Sequence, residues 1–352
     1  MDKDSMRRFK NLINEPDLND RMDDIYNNLD RAERMKDQRK TAKEPSVRAK
    51  DIRSSLDFVM KQNVDSSSDK IGLILTGGGG KGSYQAGALK ALDRNTIGGV
   101  AGTSAGALNA AAFSSGNVYE AERLWSNLDE EKMLGSEGFF SPSDENDRYL
   151  KKLIKDSGVL PKINPDSMPT VVTAFDYNRA YPKDFLLNNL DDEEKLKCLL
   201  ASAAVPIALK EQTIRGVNYI DGGIPVFGSN MPVAPLYHLG FRKFIVIHCS
   251  SIWEALEFTL LNKLNLKLNH EMYFNGASFV HLFPSRHMGG LLEGVTNFSH
   301  EFIMKNIKLG YSDMEKARKY LKVFSEDVGE YDEIHIVNGK RYRSFQDVLD
   351  HI

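Results

Sequence analysis

The chain has 352 residues, enough for one large α/β domain with an appendage or for two domains. Lysine plus arginine (46) nearly balance aspartate plus glutamate (49), and a net charge of −3 gives no electrostatic basis for binding nucleic acid. Only two cysteines occur, Cys198 and Cys249, both among apolar neighbours; this argues against a disulfide framework, fits a reducing compartment, and reads as two small buried hydrophobes.

Residues 1–68 carry both charge signs and few aromatics, with sparse apolar positions: Met22, Ile25 and Leu29, then Val47, Ile52, Leu56, Val59 and Met60. The second set has helical spacing after a Pro45-Ser46 start signal, so the segment is expected to be a charged helical arm lying on the main domain or on another subunit, the latter making a homo-oligomer. Its acidic and basic residues balance rather than forming one basic, membrane-seeking face. The opening M-D-K-D-S-M-R-R-F-K lacks the apolar run of a signal peptide, and no run of 18 apolar residues could span a bilayer, so the expected location is cytoplasmic.

A domain is expected over residues 69–325. Its first strand, Ile71–Leu75, is a continuous apolar run of the kind buried on both faces of a parallel sheet. The strand enters Gly77-Gly78-Gly79-Gly80-Lys81-Gly82, and a helix with Ala88, Leu89, Ala91 and Leu92 at helical spacing follows. A glycine-rich turn opening a helix is an anion cradle, because backbone N–H groups converge and no Cβ blocks the approach. It is not a P-loop: Leu75 stands where that motif's first glycine belongs, and Gly82 where its Ser/Thr belongs. A dinucleotide fingerprint fits Gly77, Gly79 and Gly82. The place of the acidic residue that should end a second strand is, however, taken by Gly102-Thr103-Ser104.

That second strand, Gly98–Ala101, leads into Gly102-Thr103-Ser104-Ala105-Gly106 and a small-residue helix. G-x-S-x-G between strand and helix is the nucleophile-elbow pattern: the serine projects at the sheet edge, beside the positive end of the following helix. The glycine loop then lies at the same end of the neighbouring strand, where an oxyanion hole belongs. Further strands are expected at Thr170–Ala174, Lys243–His248 and Ala277–Phe283, and an irregular hairpin over Thr213–Ile220 carries Asp221-Gly222-Gly223 to its end. Alone, Asp-Gly is a common turn; beside the other two motifs it supplies a carboxylate able to accept a serine proton. Residues 252–274 are dense in large apolar side chains and would suit core packing or an acyl-chain channel with an interfacial patch. Asn338-Gly339 between strand formers predicts a hairpin in the closing segment, 326–352, with Ser344–Ile352 a short helix.

The glycine loop, the elbow and D-G-G, in that order, resemble the patatin-like phospholipase family. So does A-S-x-x-x-P at Ala201–Pro206 and, more loosely, Asn306–Tyr311; the resemblance covers about residues 68–325. It implies a three-layer α/β/α fold with a mostly parallel central sheet. It also implies a Ser–Asp dyad of Ser104 as nucleophile and Asp221 as general base, and an oxyanion hole from the N–H groups of Gly78, Gly79 and Gly80. Lys81 matches the family's basic position or is a solvated cation steadying the loop. The implied substrate is a phospholipid or other acyl lipid, met by peripheral membrane contact, with no cofactor. A dyad needs its carboxylate partly buried, since an ordinary aspartate near pKa 3.9 is a poor base for a hydroxyl. Two other classes stay open: a serine esterase with a histidine triad, for which His248 is the best placed of eight histidines, and a non-catalytic module holding an anionic head group. No H-x-H or H-E-x-x-H spacing supports a catalytic metal.

Overall fold

The computed structural model describes residues 70–134, 144–177, 179, 181–205, 208–223, 230–254, 274, 276–290, 293–324, 333–343 and 345–351. The expected N-terminal arm and the stretch 255–273 of the apolar segment lie outside them. The elements below belong to one compact unit, Asn63–Asp176 with Tyr181–Ile352.

In chain order the strands are β1 (Ile71–Leu75), β2 (Ile97–Thr103), β3 (Thr170–Asp176), β4 (Tyr181–Leu186), β5 (Gln212–Ile214), β6 (Val217–Asp221), β7 (Lys243–Ile247), β8 (Ser278–Phe283), β9 (Glu333–Val337) and β10 (Lys340–Tyr342). Among the described residues the helices are α1 (Gly82–Ala91), α2 (Ala105–Ser114), α3 (Glu120–Ser126), α4 (Glu130–Leu134), α5 (Asp144–Ser157), α6 (Asp192–Ser202), α7 (Val233–His238), α8 (Glu293–Thr296), α9 (His300–Leu321) and α10 (Phe345–His351). The strands form a single sheet ordered β10-β9-β8-β7-β1-β2-β3-β6-β5, with β4 on β3. Its centre, from β9 through β3, is parallel. The pairings of β4, β5, β6 and β10 are antiparallel, so the sheet is mixed, mostly parallel, between layers of helices.

β1 is buried at every position, and the strands beside it are mostly apolar, because both faces are covered. Leu73 and Leu75 of β1 pack into the large core with α1, α2, α5, α6 and α9, while Ile74 between them enters a smaller core under α7. On β7, Ile245 and Ile247 face the first core, and Phe244 and Val246 the second. Period-two alternation thus feeds two cores, as a sheet covered on both faces requires. Helix α6 starts where Asp191 Oδ1 accepts the Glu194 N–H at 2.8 Å, with three acidic residues in its first turn, where they favour the positive end of the helix dipole.

Two local expectations changed, and the Asn-Gly hairpin formed as expected. β4 was not anticipated: its sequence, Y-P-K-D-F-L, mixes a proline and charges into the run and is legible only beside β3. The hairpin before Asp221 is regular, not irregular; Ile214 pairs with Val217 across Arg215-Gly216, which take positive φ of 50° and 78° as a tight two-residue turn needs. The C-terminal hairpin turns at Asn338-Gly339 (φ 48° and 68°), and through β9, parallel to β8, it continues the central sheet.

Candidate active site

The site lies where two strands meet end to end. β4 occupies one edge of β3 along Val171–Asp176, so β2 and β6 must share the other. β2 takes its first half, ending with Thr103 opposite Thr173. β6 runs in from the opposite direction and ends with Asp221 opposite Ala174. Thr103 and Asp221 therefore stand at consecutive positions along β3, and the chain leaving each turns out of the sheet at the same place. That brings Ser104 to Asp221.

Ser104 has φ 56° and ψ −126°, a left-handed-side conformation that costs a non-glycine residue of order 1–3 kcal/mol and persists only when its surroundings hold it. Several contacts do so. The Ser104 N–H donates to Ser202 Oγ at 2.9 Å, and the Ser202 hydroxyl donates to Thr173 O at 2.6 Å. Two residues on, Ala204 O accepts the Asp221 N–H at 2.9 Å. The segment resembling A-S-x-x-x-P thus holds both backbones. Gly102 and Gly106 flank the turn at a distance no side chain would allow: a Cβ on Gly102 would stand 2.2 Å from Gly106 O. Thr103 ends β2, Ala105 opens α2, and Gly222 presses on β3, where a Cβ would meet Thr173 O at 2.2 Å.

Asp221 is 5% exposed and Ser104 6%. Asp221 Oδ1 accepts the Gly223 N–H at 2.7 Å, while Oδ2 is buried with no well-formed hydrogen bond among the described residues. Burial pushes the carboxyl up to about pKa 6; the nearby Ser104 hydroxyl and then the Gly223 N–H pull the other way, and the desolvation wins. No histidine acts on Asp221 among the described residues. His248, the triad candidate, points to the far side of β7. Its Nε2 lies 2.9 Å from His281 Nδ1, and its ring stacks on Phe283, both on β8.

The glycine loop sits against the serine. A Cβ on Gly77 would be 2.9 Å from Ser104 Cβ. Gly79 has φ 54°, and a Cβ there would stand 2.2 Å from Val295 O of α8; on Gly80 one would stand 2.0 Å from Asn297 O. Only glycine fits this narrow gap. The N–H groups of Gly78, Gly79 and Gly80 have no acceptor among the described residues, whereas the Gly77 N–H donates to Asn230 Oδ1 at 2.8 Å.

Lys81 is not solvated. It is 1% exposed, with Nζ 3.1 Å from Ser250 Oγ, 3.1 Å from Gly290 O and 3.5 Å from Glu254 Oε1. Glu254 also accepts the N–H groups of Ser251, Met288 and Gly290. A cation so neutralised ties the loop to two neighbouring segments. Beside Glu254, Trp253 is 45% exposed.

Beneath the loop runs a buried relay. Trp125 Nε1–H donates to Asn109 Oδ1 (2.7 Å), Asn109 Nδ2 to Gly82 O and Gln85 Oε1 (both 2.9 Å), and Gln85 Nε2 to Thr76 O and Ile247 O (both 2.8 Å). It joins the elbow helix α2 to the loop helix α1 and to the ends of β1 and β7. Sequence reasoning missed Ser202's role, Glu254, Asn230 and this relay. Asn109 had a readable signal, a polar residue inside an alanine run, which a buried helix tolerates only when paired. Asn230, in G-S-N-M-P, reads as an ordinary turn. Cys198 and Cys249 are free and buried, each thiol pushed up to about 12 by burial. Among the described residues no group of three or more His, Cys, Asp or Glu could hold a metal ion, and no helix is long and apolar enough to cross a membrane.

Residues 73–237, which span the loop, the elbow and Asp221, match the family model described as Patatin-like phospholipase. The matched segment, a little under half of the chain, is similar to a lipid acyl hydrolase domain of that family. Among solved structures it is similar to VipD from Legionella pneumophila, at 15% sequence identity and a TM-score of 0.44, over 72% of this chain and 67% of that one. Among curated proteins, none matches.

Proposed function

We propose that the chain hydrolyses fatty-acyl esters of membrane lipids, as a phospholipase A or lysophospholipase, through a Ser104–Asp221 dyad. Ser104 Oγ attacks the ester carbonyl carbon while Asp221 takes its proton. The oxyanion that forms is met by the N–H groups of Gly78, Gly79 and Gly80; the alcohol then leaves with the proton held at Asp221, giving an acyl-serine. Water, deprotonated by Asp221, attacks the acyl-serine, and as the acyl–Oγ bond breaks Asp221 returns that proton to Ser104 Oγ, releasing the fatty acid. The observation that carries this reading is the end-to-end meeting of β2 and β6, which sets a strained, buried serine beside a carboxyl whose pKa is raised to about 6. A base near the working pH is what general-base catalysis favours. The unused N–H groups of the loop support the oxyanion role. The lipid substrate and peripheral work at a membrane surface rest on the family match.

The test is single-turnover acylation by a fluorophosphonate and by a soluble p-nitrophenyl ester, followed by mass spectrometry of products from mixed phospholipid vesicles. Ser104→Ala and Asp221→Asn should both be dead while remaining folded, and the wild type should release fatty acid and lysophospholipid. Turnover retained by Ser104→Ala would overturn the reading. A His→Ala variant as dead as Ser104→Ala would replace the dyad with a triad.

A further inference from the structure

We infer that Asn230 is a positioning residue that sets the spacing between the glycine loop and the Asp221 turn. The inference rests on the Ser104–Asp221 reading above and adds to it a residue that belongs to neither motif. Asn230 is exposed at the site. Its Oδ1 accepts the N–H of Gly77, the first residue of the loop, at 2.8 Å. The same oxygen is packed between two glycines: it is 2.7 Å from where a Cβ on Gly77 would lie, and 2.8 Å from where one on Gly223 would lie. Gly77 abuts Ser104, and the Gly223 N–H is the hydrogen bond on Asp221 Oδ1. One carboxamide oxygen therefore touches a residue of each loop, and each of those residues is a single contact from a proposed catalytic side chain.

Oxyanion donors stabilise charge only when they stand 2.7–3.1 Å from where it develops. A run of four glycines has the widest choice of backbone states and cannot hold that distance unaided. At its far end the run is gripped by Val295 and Asn297; at its near end the Gly77 N–H is buried, and Asn230 is its acceptor. Releasing that bond leaves a buried donor unpaired and frees the start of the loop, and a misplacement of about 1 Å can cost on the order of 10²-fold in rate. The orientation of the amide follows from its partner, since only the oxygen can accept an N–H. A neutral acceptor also suits the place. A carboxylate there would repel the developing oxyanion and push the proton affinity of Asp221 higher.

Because the side chain is exposed, its removal leaves no cavity in the core, and the cost to folding can be measured apart from the rate. Single-turnover acylation of the full chain by a soluble p-nitrophenyl ester would be followed across pH 4 to 9 in wild type, Ser104→Ala, Asn230→Ala and Asn230→Asp, with thermal midpoints in parallel. Asn230→Ala should acylate about 10- to 100-fold more slowly, with KM within about twofold of wild type and a fall in midpoint too small to account for that slowing. Asn230→Asp keeps an acceptor for Gly77, so above its acid limb it should run faster than Asn230→Ala. Its added charge should move that limb to higher pH than in wild type. An Asn230→Ala enzyme with wild-type acylation, or one slowed only in proportion to its loss of folded protein, overturns the positioning role, as does an Asn230→Asp limb that stays in place. If Ser104→Ala still turns over, the site reading fails and takes this role with it; if Ser104→Ala is dead and Asn230→Ala is normal, only this role fails.

Discussion

A carboxyl that takes a proton from a hydroxyl at neutral pH must titrate well above an ordinary aspartate, and desolvation raises Asp221 to about 6. On the dyad reading, kcat/KM for a soluble ester should rise with pH through an apparent pKa near 6 and then level; a pH-independent rate from 4 to 8 would contradict it. The same shift acts on stability. The folded carboxyl holds its proton more tightly than the unfolded one, so the native state binds the extra proton between about pH 4 and 6. Stability therefore falls as pH rises through that window. Asp221→Asn removes the ionisation and should stabilise the protein by about 2–3 kcal/mol at pH 8, with no gain below pH 4, read as the difference in urea unfolding at the two pH values. Lys81 and Glu254 pose the opposite case, a buried pair whose members need each other. Glu254→Ala leaves an uncompensated buried ammonium and should cost about 3–5 kcal/mol, whereas Lys81→Met combined with Glu254→Leu should cost clearly less. Equal losses in the two would mean that the charge pairing is unimportant.

At the scale of elements, the loop helix α1 is set by its crossing with α9. A Cβ on Gly87 would stand 1.9 Å from Ile307 O, and one on Gly310 would stand 1.9 Å from Tyr84 O, so each helix presents a glycine to the other's backbone. Tyr84 OH also reaches Asp313 Oδ2 of α9 at 3.3 Å. A methyl at either glycine must push α1 away, and α1 carries Gly82 and Gln85 of the relay under the loop. Gly310→Ala should lose at least about 1–3 kcal/mol in urea unfolding, together with part of the acylation rate. An unchanged midpoint would show that the crossing has slack. Polar joints between elements follow the same logic. The relay from Trp125 through Asn109 to Gln85 leaves none of its side-chain amide or indole groups unpaired, the condition under which buried polar groups fix an arrangement rather than weaken it.

For the whole molecule, the C-terminal hairpin matters because it completes a sheet. β9 pairs with β8 along Phe279–Phe283 and buries Ile334 and Ile336 against the main core. A chain ending at residue 325 bares the β8 edge and its apolar flank, and unpaired parallel edges template association. Such a chain should melt lower and elute in part as oligomers in size-exclusion chromatography; a monomer with the full-length midpoint would make the hairpin dispensable.

The sequence by itself determined the α/β class, the buried strands β1, β2, β3, β7 and β8, the Asn-Gly hairpin, and the three motifs of the proposed site. These are local: a strand buried on both faces must be mostly apolar, a tight hairpin turn must offer positive φ, and a serine elbow needs glycines beside it. β4 and the relation between Asp221 and Ser104 needed the tertiary structure. β4 is polar enough to be a loop until β3 pairs with it, and only because β4 fills one edge of β3 must β6 share the other with β2 and end against Ser104. Burial was equally hidden. Lys81 could be read as the family's basic position or as a solvated cation, because nothing near it in the chain neutralises it; its partner Glu254 comes from a distant segment folded over the loop. Hydrogen-bonding side chains such as Ser202 and Asn230 look like ordinary polar residues in sequence, because their partners, Ser104 and Gly77, lie 98 and 153 residues away and meet them only when the sheet closes.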